Sequence, residues 1–139
     1  MRGDVEVRTF TREFLGRWRR EEDEGATYTP YPADVVVGAP TDLASLTGVP
    51  GRILPVPGHT KGSLVVEVGD MLFVGDLLRG SLIGSGAETH LYMCDLEANR
   101  RDIRTLLEQQ SPGSKWVFVG HFGPVTRESV LEHFEAEKR

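Results

Sequence analysis

The chain has 139 residues, 39% of them hydrophobic and 27% charged, a balance that suits one water-soluble globular domain. Its net charge of −5 argues against nucleic acid and anionic membrane surfaces as partners. Cys94 is the only cysteine, so no intrachain disulfide forms. There is no apolar signal core in "MRGDVEVRTF" and no apolar run near ~20 residues, and a cytoplasmic location is expected.

In "FTREFLGRWRR" Phe10, Phe14 and Trp18 recur every four residues, which predicts a helix over 9–20 with one aromatic face. The basic cluster Arg17, Arg19 and Arg20 runs straight into Glu21, Glu22, Asp23 and Glu24, the pattern of a solvated helix end. "GATYTPYP" reads as a loop, "DVVVG" as a short β-branched strand, and "APTDLASLTGVPG" as a turn-rich connector. Residues 1–27 are thus a helix and loop ahead of 28–139, all within a single domain.

Four short apolar runs follow: "RILPV", "SLVVEVG", "MLFVGD" and "WVFVGH", each bounded by Gly, Pro or Asp and each read as a strand. Gly69-Asp70 between two of them is a two-residue hairpin signal. "SLIGSGAETHLY" is Gly- and Ser-rich and reads as an active loop or cover. "DLEANRRDIRTLLEQQ" is the clearest helix, with Asp95 as N-cap and Leu96, Ile103, Leu106 and Leu107 on its apolar face. "TRESVLEHFEAEKR" is a second helix, started by Thr126 with Glu128 and Ser129. The order strand, strand, strand, helix, strand, helix predicts an α/β fold.

Three polar residues share one placement. His59, Asp76 and His121 each follow an apolar run and stand beside a glycine: Gly58, Gly75 and Gly120. Glycine there lets the backbone turn sharply, and side chains at strand ends converge along one sheet rim. Two imidazoles and a carboxylate are ligands that suit zinc, or less strongly iron or manganese. His90, in "AETHLYMCD", and His133, at a mid-helix position read as surface, are not counted among the ligands.

"PGHTKGS", "FVGDLL" and "GHFGPV" resemble the last three motifs of the metallo-β-lactamase superfamily, in the right order, and the likeness runs from about residue 28 to 136. The resemblance implies half of an αβ/βα sandwich: one mixed sheet with helices on one face, the second half of the family fold. It implies that His59 binds one metal, that Asp76 bridges two, and that His121 binds the second. Thr60 and Ser63 are candidates to orient a ligand imidazole, or simply to cap their turn. The family's His-x-His-x-Asp-His run is absent, so half of the metal ligands are missing. The expectation is a metal-dependent, hydrolase-like chain, inactive as an isolated monomer, with zinc weakly bound or absent. The alternative is a non-catalytic binding or oligomerisation module. The expected partners are a second copy or a complementary N-terminal half chain, and a small-molecule substrate if active, with neither nucleic acid nor membrane.

Overall fold

Alternating apolar residues in short runs form strands, and the strands form one six-stranded sheet. The computed structural model describes residues 6–7, 32, 34–93 and 95–136; the aromatic helix expected at 9–20 lies outside them. In chain order the elements are β1 (Glu6–Val7), β2 (Thr41–Asp42), α1 (Ala44–Thr47), β3 (Arg52–Pro55), β4 (Leu64–Val68), β5 (Met71–Gly75), β6 (Arg79–Gly80), β7 (Ala87–Glu88), β8 (Tyr92–Met93), α2 (Leu96–Thr105), β9 (Trp116–Val119), β10 (Val125–Thr126) and α3 (Arg127–Ala136). A π-helical turn, Leu106–Gln110, extends α2.

The sheet order is β10-β9-β5-β4-β3-β2. All neighbours are antiparallel except β5 and β9, which are parallel and joined through α2. Since β4 is antiparallel to both β3 and β5, the strands β3, β5 and β9 all run the same way. Their C-terminal ends therefore share one rim. Two shorter pairs lie apart from this sheet, β6 with β7 and β1 with β8.

One sheet face is the core. Leu54, Val65, Leu72, Val74 and Val117 pack there against Ile103, Leu106 and Leu107 of the α2 segment and Val130 of α3. Leu131 and Phe134 of α3 pack at its edge. Asp95 caps α2 as its sequence suggests, its carboxylate accepting the Ala98 N–H at 2.9 Å. Thr126 Oγ1 accepts the Ser129 N–H at 3.2 Å at the start of α3. Both helices sit on one face, so the α/β half-sandwich expected from the sequence is the fold found.

Residues of the opposite parity point to the other face. Ile53, Val66, Phe73 and Phe118 form one continuous cross-strand row. The rings of Phe73 and Phe118 stack at 4.9 Å. Phe73 is 42% and Trp116 46% exposed, whereas Leu72 and Val117 beside them are at most 1% exposed. The sheet is thus apolar on both sides and, among the described residues, covered by helices on one.

Two expectations change. "DVVVG" is not a strand: residues 34–38 have no regular structure and Val36 is 94% exposed. β-Branched residues favour strands only where a partner strand packs them, and the sheet edge is taken by Thr41–Asp42 from the connector instead. The Gly- and Ser-rich stretch "SLIGSGAETHLY" is not all loop. Its Ala87–Glu88 is β7, which pairs with β6 just ahead of the stretch in a ribbon closed by the Arg79–Glu88 ion pair. No described helix is long and apolar enough to cross a membrane.

The two-faced burial predicts an asymmetry on denaturant unfolding. Leu72→Ala should cost about 2–5 kcal/mol, as for other buried leucines, and Phe73→Ala in the isolated chain less than half of whatever Leu72→Ala costs. Equal losses would mean that the second face is covered in solution.

Candidate metal centre

The shared rim brings Asp76 and His121 together. They follow β5 and β9, adjacent parallel strands about 4.8 Å apart. Gly75 has φ 56°, a left-handed conformation that glycine adopts at little cost, and the chain turns there out of β5. The Gly120 N–H donates to the Gly75 carbonyl at 2.8 Å and ties the two strand ends. His121 Nε2 then lies 3.4 Å from Asp76 Oδ1.

The three motif glycines do not share one role. Only Gly75 has a positive φ. Gly120 is required for closeness, since a Cβ there would collide with Asp76 Oδ1. Gly58 is required for packing, since a Cβ would stand 2.6 Å from the Asn99 Cα in α2. Asn99 in turn donates from Nδ2 to the Leu77 carbonyl at 2.8 Å and holds the turn that carries Asp76.

His90 completes the cluster. Its Nε2 lies 3.9 Å from Asp76 Oδ2, on the side of the carboxylate away from His121. Asp76, His90 and His121 offer donor atoms all within 4.8 Å of one another. His90 is buried, Asp76 is half-buried, and His121 is exposed. Neither composition nor spacing marks His90; the ribbon register does. β6 and β7 pair Arg79 with Glu88 and Gly80 with Ala87, and continuing that register two residues sets His90 opposite Leu77, next to Asp76.

His59 lies beside this group. Its ring meets His90 edge-on at 5.2 Å, and His90 meets His121 at 5.6 Å, so three imidazoles form a row. The geometry gathers Asp76 and His121 with His90, where the sequence pointed to His59. The reason is strand spacing: β4 separates β3 from β5, so the His59 turn starts about two strand widths from Asp76. Thr60 and Ser63 close that turn. The Thr60 N–H donates to Ser63 Oγ at 3.0 Å, the Ser63 N–H donates to the Thr60 carbonyl at 3.1 Å, and the two hydroxyls are 2.9 Å apart.

The donor set fits a first-row divalent ion. Metal–ligand bonds of about 2.1 Å in a tetrahedron place donors about 3.4 Å apart. Asp76 Oδ1 is 3.4 Å from His121, which meets that separation, and Oδ2 is 3.9 Å from His90, while one donor atom from each of the three residues lies within 4.8 Å of the other two. Gly120 supplies the space in which the carboxylate stands.

Comparison with known proteins agrees with this fold. The chain resembles a metallo-β-lactamase from Erythrobacter litoralis at 18% identity and TM-score 0.58, over 87% of this chain and 54% of that one. It resembles FIM-1 from Pseudomonas aeruginosa, solved in a mono-zinc form, at 24% identity and TM-score 0.56, over 86% and 52%. An archaeal superfamily protein from Sulfolobus tokodaii matches at 18% identity and TM-score 0.56, over 90% and 52%. At these identities the likeness is one of fold, and the chain spans just over half the length of each structure. The curated proteins give no match. The sequence model of the metallo-β-lactamase superfamily matches residues 2–121, nearly the whole chain, and the protein belongs to that superfamily.

Proposed function

We propose that the chain is a metal-binding, hydrolase-type protein that holds one divalent ion through Asp76, His90 and His121. The observation that supports this most is the Asp76 carboxylate, which turns one oxygen toward each of two imidazoles. Two nitrogens and an oxygen suit zinc, and less strongly iron or manganese. Three protein ligands are the usual count at a catalytic zinc, and His90 raises the number from two to three. An ion held there would supply Lewis-acid polarisation of a scissile bond and a more acidic bound water. The chain's own residues set access and charge. His90 closes the inner side, and exposed His121 leaves the outer side open to a small-molecule substrate. The His-x-His-x-Asp-His run is absent from the sequence, so one copy alone lacks the groups that would complete a second metal and orient the attacking water. Hydrolysis by one copy should be slow.

Zinc titration by calorimetry tests the site. One zinc per chain is expected, and Asp76→Asn, His90→Ala and His121→Ala should each weaken binding at least about tenfold. His59→Ala should weaken it less, because His59 stands one imidazole further out. Two tight zinc ions per chain, or no zinc at all, would overturn the reading.

The second sheet face supports association with a second copy. An exposed apolar patch of linked side chains marks an interaction surface, and here Ile53, Val66, Phe73 and Phe118 form one row with Trp116 beside it. Two copies meeting through the same patch would close as a two-fold dimer, with an interface above the ~800 Å² of ordinary crystal contacts. Sedimentation equilibrium at micromolar concentration should give a dimer, and Phe73→Asp should return it to monomer. A monomeric wild-type chain would refute this part while leaving the metal site untouched.

A further inference from the structure

The segment that delivers His90 is held from outside the ribbon. β7 pairs with β6 along one edge only. The N–H groups of Ala87 and Thr89 point to the other edge, and Ala87 is buried, so their amides require acceptors there. α3 supplies them. Ser129 Oγ accepts the Ala87 N–H at 2.7 Å, and His133 Nε2 accepts the Thr89 N–H at 3.1 Å. Thr89 Oγ1 is 3.0 Å from the same Nε2.

The spacings match. Residues four apart in a helix are separated by about 6 Å along its axis, and residues two apart in a strand by about 6.7 Å. Ser129 and His133 share one face of α3 and present two acceptors at nearly the repeat of a strand edge. The helix does for β7 what a neighbouring strand would do, and His90 follows Thr89 directly. We propose that Ser129 and His133 form a two-point clamp that positions His90 as a metal ligand. The clamp rests on the reading of Asp76, His90 and His121 as one metal site. His133 acts through Thr89 and is a positioning residue; the mid-helix surface role expected from the sequence is replaced by this one.

The test compares variants that differ in acceptor and little in size. His133→Leu removes the acceptor, His133→Gln offers an amide oxygen at similar reach, and Ser129→Ala removes the other point. In zinc titrations, His133→Leu should bind at least about tenfold more weakly than wild type, Ser129→Ala more weakly by a smaller factor, and His133→Gln within about threefold. A purely structural role would lower the melting temperature without separating Leu from Gln in affinity. Wild-type affinity in His133→Leu overturns the clamp and leaves the metal site standing. If the wild-type chain takes up no zinc, the metal reading fails, and amide hydrogen exchange decides the clamp. Thr89 should then exchange at least about tenfold faster in His133→Leu, and unchanged exchange overturns the clamp. Should His133→Leu not fold, Ser129→Ala read at the Ala87 amide gives the same decision.

Discussion

The parallel pairing of β5 with β9 is the constraint on which the site depends. It sets two strand ends side by side, and the residues just past those ends are Asp76 and His121. Parallel neighbours need a long crossover, and α2 with its π-helical extension supplies it. The same crossover packs Ile103, Leu106 and Leu107 onto the sheet and brings Asn99 against the Asp76 turn. One topological feature therefore builds the core and the rim together. The left-handed Gly75 and the bare Cα of Gly120 are the local adjustments that let the two ends meet.

His90 arrives by a different route. A β3 turn must cross the width of β4 to reach Asp76, and His59 stops one imidazole short. The ribbon after Asp76 folds back on itself and returns His90 to the level of Leu77. A fold-back of two paired residues per strand has little stability of its own. Its support comes from the Arg79–Glu88 ion pair, from the Gly80 N–H donating to the His121 carbonyl at 2.8 Å, and from the side chains of α3. The cluster thus draws its side chains from two sheets, and the ribbon that carries His90 leans on α3.

The sheet carries a second asymmetry. Helices on one face bury residues of one parity almost fully, while the other parity carries Phe73 and Trp116 with much of their surface open and Phe118 half-buried between them. Apolar burial contributes about 25 cal/mol per Å², so an open aromatic row is surface with binding energy unspent. The chain spans just over half the length of the structures it resembles, and the open face sets the terms on which anything else can join it.

The sequence by itself determined the four central strands β3, β4, β5 and β9 and the long helix. Period-two alternation and an N-cap aspartate are local signals that tertiary contacts reinforced at Leu72, Val117 and Asp95. It also pointed to Asp76 and His121, which the structure sets side by side, because each sits beside a glycine at the end of an apolar run, and that pattern is readable one strand at a time. It misplaced the "DVVVG" strand, since β-branched residues show propensity but not whether a partner edge is free. It counted His59 and not His90 among the ligands, whereas the structure chooses His90 as the neighbour of Asp76 and His121. That choice rests on the distance spanned by β4 and on the register of a two-residue ribbon, and neither quantity is written in any stretch of neighbouring residues. His133 read as a surface histidine for the same reason: an acceptor on a helix acquires its meaning only when the edge of β7, more than forty residues earlier, is laid against it.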